Sequence, residues 1–458
     1  MSPENRLLKS ALAAIIALLS LGISACVLEP ETLPSPPPTV LPTVQPSPTA
    51  PPVDALDPAG CELHLWHSLT GQKEATLLSL AARFEADNPQ GLRLRIEFHH
   101  PLQREVLTAI AAGTPPDIVI ASCDQIAEYA ALNAVASLTP FVNNAQYGLD
   151  AAEQADLWSI VLSGCSTAQF KGTSALFFDP QAAVMFYNAA WLDKLKAEGP
   201  PQNWSDFNKL SNAARDKKAA TWGYAYASNG LTLVNWISGL GGVLFDVQES
   251  QVTLDDPQAT AALAVLQDLL EDGCAYCATE PGADRASFAA EKLLFTFGST
   301  ADLAQYTEAI FSTKAKGAKF AWDIAPMPYQ VSKLVVNVQG SAMSILSTTP
   351  RQQLAAWLFL KWFVQRENDV QWALETGALP LHRSSADAPE MQSYLERNPQ
   401  YKTACGLLAS ASTEPVLPQW TDIRSLLVSA AGLVCSGQTE PAAALAAADT
   451  AAEALLAR

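Results

Sequence analysis

An alternation of β-type and α-type segments over about 400 residues, followed by a mainly helical block, predicts an α/β protein of two lobes, each a mainly parallel sheet flanked by helices. Three observations carry this reading. Residues 63–121 read β-α-β-α-β, the pattern that builds a parallel sheet. A second series of β-type runs lies between Ala175 and Leu346, interleaved with capped helices. From Thr349-Pro350 onward the periodicity is helical, with a further cap at Thr439-Glu440-Pro441. No internal repeat is visible.

The elements follow in chain order. Arg6 and Lys9 precede an apolar run, Ala11 to Ile23, that is too short for a membrane span. It closes on Ile23-Ser24-Ala25-Cys26, which resembles the lipobox of bacterial lipoproteins. Residues 1–26 are therefore expected to be a signal peptide, with Cys26 the lipidated first residue of the mature chain. Residues 27–59 hold eleven of the 31 prolines and no aromatic residue. Such a stretch cannot bury enough apolar surface to fold, and as polyproline II it reaches on the order of 100 Å. It reads as a tether between membrane and body, placing the body outside the cytoplasm.

Leu63 to His67 is a short apolar strand, and Gln72 to Asn88 carries Leu77, Leu78, Ala81 and Phe84 at helical spacing until Asn88-Pro89 stops it. Gly91 to Phe98 alternates, with Leu92, Leu94, Ile96 and Phe98 on one face. A helix from Leu102 ends at Gly113-Thr114-Pro115-Pro116, and Asp117 to Ala121 is the third strand. In such units ligands sit beyond the carboxyl ends of the strands. Trp66, His67 and Ser68 lie at one such end, Ser122 and Asp124 at another; Asp124 could equally cap the helix it opens.

Further strands are expected at Ala175–Phe178, Ala182–Tyr187, Thr221–Ala227, Leu293–Phe297, Phe320–Ala325 and Leu334–Leu346. Asp256-Pro257 starts a helix that ends at Gly273. Of the 11 Trp residues most are expected in the core, Trp191, Trp357 and Trp362 among them, while Trp222 and Tyr224 on a strand are open to a core or a cleft role. Trp236 stands near Gly239-Leu240-Gly241-Gly242, a turn that permits close backbone approach, and is a cleft candidate. At Gly298-Ser299-Thr300 a strand end meets a helix start, where free N–H groups could face a hydroxyl or phosphate, or simply be capped.

Composition excludes some classes. A hydrophobic content of 49% rules out wholesale disorder, and a net charge of −18 argues against nucleic acid or an anionic membrane surface as partner. It argues mildly against a strongly anionic ligand. There is no G-x-S-x-G elbow, P-loop or H-E-x-x-H helix, and the five histidines show no metal-ligand spacing, so no metal or cofactor is expected. Seven cysteines beyond Cys26 leave at least one unpaired in an oxidising compartment. Spacing does not settle their connectivity; Cys123–Cys165 and Cys405–Cys435 are two pairings considered. Cys274-Ala275-Tyr276-Cys277 follows a helix C-terminus, the wrong end of a dipole for a reactive thiolate, and reads as structural rather than as a thiol oxidoreductase motif. A glycosidase carboxylate pair is not singled out by any spacing.

Several segments together resemble the maltose-binding-like family of extracellular solute-binding proteins. They are Leu65-Trp66-His67-Ser68-Leu69-Thr70-Gly71, Phe84-Glu85-Ala86-Asp87-Asn88-Pro89, Gly113-Thr114-Pro115-Pro116-Asp117-Ile118-Val119, Met185-Phe186-Tyr187-Asn188, Pro201-Gln202-Asn203-Trp204-Ser205-Asp206-Phe207, Phe297-Gly298-Ser299, Gly377-Ala378-Leu379-Pro380 and Pro418-Gln419-Trp420. The Trp-His-Ser opening looks most like the branch that binds glycerol 3-phosphate and its esters.

The resemblance implies a periplasmic-binding-protein-like fold hinged by multiple chain crossings, with residues 60–178 and 294–346 in one lobe and 179–293 and 347–458 in the other. It implies a monomeric, non-enzymatic binder that hands a carbohydrate-type solute, or alternatively glycerol 3-phosphate or a glycerophosphodiester, to the permease subunits of an ABC importer. The candidate ligand residues are Trp66, His67, Ser68, Asp124, Trp236, Gly298 and Ser299, singled out by their positions, together with Tyr187, which matches a family pocket position, and Trp420, which follows the Pro418-Gln419 segment of the resemblance. The glycerol-phosphate branch tends to place an arginine just after Pro418-Gln419; here the nearest is Arg424, a departure that favours a stacked neutral sugar.

Overall fold

The strand Glu62–His67 is an interior strand of the first of two main sheets: Leu63 and Leu65 are fully buried, and neighbours on both sides complete its hydrogen bonds. The computed structural model describes residues 52–166, 172–246, 249–312 and 317–457. The expected signal peptide, Cys26 and the tether up to residue 51 lie outside the described residues. Where that proline-rich stretch is described, it lies on the body. Val53 and Leu56 pack against the first core, and Arg351 donates to the Asp57 carbonyl at 2.8 Å.

The first sheet runs Arg93–Phe98, Glu62–His67, Ile118–Ala121, Ala342–Ile345, Leu176–Phe177. Its first three strands are parallel, with Leu65 opposite Ile96 and Ile118; the last two join antiparallel. The helix Gln72–Asp87 covers it through Leu77, Leu80, Ala81 and Phe84. Leu78, expected in that stripe, is 47% exposed, because the i, i+3, i+4 series from Leu77 leaves it on the solvent face.

The second sheet runs Ala411–Thr413, Val336–Gln339, Gln181–Asn188, Leu293–Ser299, Trp222–Ala227, Ala275–Ala278, with Trp322–Ala325 also pairing to Gln181–Asn188. Leu293–Ser299 is buried at every position, so it needs partners on both sides and finds them in Gln181–Asn188 and Trp222–Ala227. This corrects the expected lobe boundaries. Of the stretch 294–346 only Ala342–Ile345 belongs to the first sheet. Conversely, the helices Pro350–Phe363 and Arg366–Thr376, expected on the second lobe, bury Leu354, Trp357, Phe363 and Trp372 in the first core. Non-local strand pairing, which periodicity does not encode, decides both points.

The chain passes from the first sheet to the second between Phe177 and Gln181, and back between Gln339 and Ala342. The two crossings lie side by side: Phe178 N–H donates to the Ser341 carbonyl at 3.1 Å. A Cβ on Gly340 would stand 1.9 Å from the Asp179 carbonyl oxygen, so only glycine permits this approach.

Among the described residues two disulfides brace the lobes, Cys123–Cys165 in the first and Cys277–Cys435 in the second. Cys405–Cys435 is not formed. The helix Trp420–Cys435 ends against the strand Ala275–Ala278, which brings the Cα atoms of Cys277 and Cys435 to 6.0 Å. Cys274 is a buried free thiol whose pKa burial pushes up to about 11, so the C-x-x-C pair is split between a bridge and an inert core thiol. No helix among the described residues is long and apolar enough to cross a membrane.

Candidate functional site: the cleft at the paired crossings

Asp179 sits in the first crossing and is 2% exposed. Its carboxylate accepts from Lys73 Nζ at 2.5 Å, and from Trp372 Nε1 and Gln181 Nε2 at 3.4 and 3.5 Å. Burial pushes this carboxyl above its usual range, and the Lys73 ammonium pulls in the opposite direction. Lys73 stands in the first turn of the helix that follows Glu62–His67, beyond the carboxyl end of that strand.

Around this pair lie connected chambers. One of about 290 Å³ is lined by Lys73, Ser122, Asp124, Asp179, Gln181, Gln339, Gly340, Glu414, Trp420 and Arg424. A second, of about 540 Å³, shares Lys73 and Gln181 and continues past Thr300, Glu308, Thr376, Tyr394 and Gln400. The first takes residues from each sheet and from the crossings between them, Phe177, Asp179, Gly340 and Gln339 among them; the second takes Lys73 from the helix that follows Glu62–His67 and Gln181 from the second sheet.

The helix Trp420–Cys435 brings the second lobe's polar groups to the cleft. Trp420 is 3% exposed, and its Nε1 donates to Glu414 Oε2 at 2.6 Å; Arg424 Nη1 donates to the same oxygen at 2.8 Å. Arg424 reaches there across Gly230, where a Cβ would stand 2.7 Å from its Cδ. From the first lobe, Asp124 Oδ2 accepts from Thr421 Oγ1 at 2.5 Å, a direct bond between the lobes. Ser122, not Asp124, caps the helix Cys123–Ala131, which leaves Asp124 to face Thr421.

Asp124 and Trp420 are thus brought together, but several expected ligand residues are placed elsewhere. Trp66 is half-buried, stacks on His99 at 3.9 Å and donates to Glu97 Oε2 at 3.0 Å; it lines neither chamber. His67 is 1% exposed, its Nδ1 accepting from Leu69 N–H, and burial holds its pKa below the usual imidazole value. Ser68 is exposed and likewise lines neither chamber. Beyond this strand end it is Lys73, in the first turn of the following helix, that lines the chambers.

Trp236 is core: 1% exposed and stacked on Trp204 at 4.4 Å. Tyr187 pairs with Phe295 on the strand and packs against the second core, burial raising its phenol to about 12. Gly298 and Ser299 form a cap. Ser299 N–H and Oγ both bond Asp302 Oδ2, and a Cβ on Gly298 would stand 2.9 Å from that oxygen. Only the next residue, Thr300, lines a chamber.

Sequence reasoning missed Lys73, Asp179, Gln181 and Glu414. Asp179-Pro180 carried a usable signal, an acidic residue and a proline between two fully apolar strands. Glu414 carried none, since its partners lie six and ten residues on, at no regular spacing.

A profile of bacterial extracellular solute-binding proteins matches residues 79–402. The chain belongs to this family. Among curated family relatives, the sn-glycerol-3-phosphate-binding periplasmic protein UgpB of Escherichia coli K12 is 23% identical over 363 residues, covering 74% of this chain and 78% of that protein. Three solved structures share the fold. The cyclic alpha-maltosyl-1,6-maltose binding protein of Arthrobacter globiformis has a TM-score of 0.71 at 18% identity, with 86% of this chain and 98% of that one covered. The sugar-binding protein MalE of Xanthomonas citri has a TM-score of 0.75 at 16% identity, with 86% and 97% covered. UgpB of Mycobacterium tuberculosis in complex with glycerophosphocholine has a TM-score of 0.68 at 19% identity, with 87% and 99% covered.

Proposed function

We propose that this chain is a lipid-tethered, extracytoplasmic binding protein that delivers a neutral carbohydrate-type solute to an ABC importer and performs no chemistry itself. The observation that carries the reading is the cleft between the two sheets, where Trp420 stands beside the carboxylates of Asp124, Asp179 and Glu414. An indole face suits the C–H surface of a sugar ring, and carboxylates accept from its hydroxyls. The sugar-binding relatives support the same reading.

In this reading Cys26 carries the lipid, residues 27–51 span the distance to the body, and the monomer opens and closes at the paired crossings. The moving lobes are 60–178 with 342–376, and 179–341 with 389–457. Ligand contacts to both lobes favour the closed state, which the permease receives.

A second reading, a glycerol 3-phosphate or glycerophosphodiester ligand, is favoured by Lys73 and Arg424 in the cleft lining and by the UgpB relatives. A thermal-shift screen of the full chain against sugars, polyols, glycerol 3-phosphate and glycerophosphocholine separates the two. A ligand at a hundred times its Kd raises stability by about 2.7 kcal/mol, and a sugar is expected to do so. An unchanged melt with every compound would sink both readings.

A further inference from the structure

Glu414 lines the 290 Å³ cleft chamber and also a third chamber, of about 590 Å³, that shares Thr413, Glu414, Pro415 and Val416 with it. This third space is bounded by Ala127 of the first lobe and by Val234, Ser238 and Asn337 of the second. Two buried polar groups on its wall have no hydrogen-bond partner among the described residues. One is Glu414 Oε1, on a residue 9% exposed; the other is Asn337 Nδ2, on a residue 2% exposed. Asn337 is held by its backbone N–H, which donates to Asn235 Oδ1 at 2.6 Å, and by its pairing opposite Ser412 in the parallel strand. Glu414 follows two residues after Ser412, so an unpaired acceptor and an unpaired donor belong to residues that line the same chamber from neighbouring chain segments. Leaving both unpaired out of water is costly, and a bound group that supplies one donor and one acceptor removes that cost.

We infer that this chamber is a second subsite for an uncharged, hydroxyl-bearing group, and that Glu414 makes the cleft selective against phosphate esters. The inference rests on the solute-binding reading above. A hydroxyl matches this pair, since it donates to Glu414 Oε1 while accepting from Asn337 Nδ2. A phosphate dianion offers acceptors only and meets a carboxylate. Nor does it find a free cation among the described residues. Lys73 and Arg424 are the cationic residues that line the three chambers, and each is bound to a buried carboxylate, Asp179 and Glu414. Glu414 therefore both masks the arginine that would bind a phosphate and presents an oxygen that demands a donor.

Calorimetry of the full chain with sn-glycerol 3-phosphate tests this. The wild type is expected to give no binding at millimolar ligand, and Glu414→Gln, which unmasks Arg424, at least a tenfold gain in affinity. Wild-type affinity equal to or above that of the variant overturns the selectivity. As a check that needs no variant, crystals of the wild type soaked in glycerol are expected to show a hydroxyl bridging Asn337 Nδ2 and Glu414 Oε1. Water alone, or an adventitious additive elsewhere in the chamber, overturns the subsite. A wild type that binds both a sugar and glycerol 3-phosphate leaves the transport reading standing while this inference falls.

Discussion

Two tryptophans of this protein make the same bond in different surroundings. Trp66 Nε1 donates to Glu97 at 3.0 Å, and Trp420 Nε1 donates to Glu414 at 2.6 Å. Glu97 lies on an edge strand with its side chain 31% exposed, beside Arg95 and His64. Partial desolvation works against its charge, but the Trp66 N–H, Arg95 and His64 together hold its carboxyl below the usual range. Glu414 has its side chain 8% exposed, spends one oxygen on both Trp420 and Arg424, and keeps the other unpaired at the wall of a chamber. The same residue pair is surface trim in one place and part of a cavity wall in the other. Burial and an adjoining cavity make the difference, not residue type.

That comparison can be broken by mutation, and the largest effect is expected at Trp420. Trp420→Ala empties a buried site and should cost about 4 kcal/mol in urea unfolding, against about 1 kcal/mol for the half-exposed Trp66→Ala. Equal losses would mean that the two sites are alike after all.

Next comes the bridge that anchors the helix of Trp420 and Arg424. Removing it by Cys277→Ser with Cys435→Ser should lower stability by about 3 kcal/mol and weaken ligand binding, both read by calorimetry. No bridge ties the strand of Trp66.

Glu414→Ala should cost about 2 kcal/mol, because it strands the Trp420 N–H and the Arg424 guanidinium. Glu97→Ala should stay within about 0.5 kcal/mol, as surface pairs do.

The smallest effect concerns pH. His67 has a folded pKa below the unfolded value of about 6.5, so the unfolded chain binds the extra proton first. Its contribution is complete above that value and is lost as pH falls through the window beneath it. His67→Gln should flatten the fall in melting temperature as pH drops below about 6.5; an unchanged slope would show that other groups dominate.

Much of the architecture was legible in the residue pattern, because it rests on local rules. Alternation at Leu63–His67, the stop at Asn88-Pro89 and the proline start at Asp256-Pro257 each locate an element by short-range sterics and hydrogen bonding. The Cys123–Cys165 pairing, one of two considered, forms; Cys405–Cys435 does not, because the partner of Cys435 comes from a strand 158 residues away. Within the candidate site, Asp124 and Trp420 were visible as strand-end and loop residues, whereas Trp236 misled: its neighbouring glycines mark a turn, and Trp204 and Phe297 enclose the ring.

The sequence by itself determined the class of protein and the order of its elements, because hydrophobic periodicity, caps and composition act between near neighbours. Only the tertiary structure decided which sheet claims Leu293–Ser299, that Gly340 and Asp179 meet at the crossings, and that Glu414 rather than Trp66 borders the cleft. Those outcomes depend on contacts between distant segments, whose energies are set by burial and shape once the chain has closed on itself.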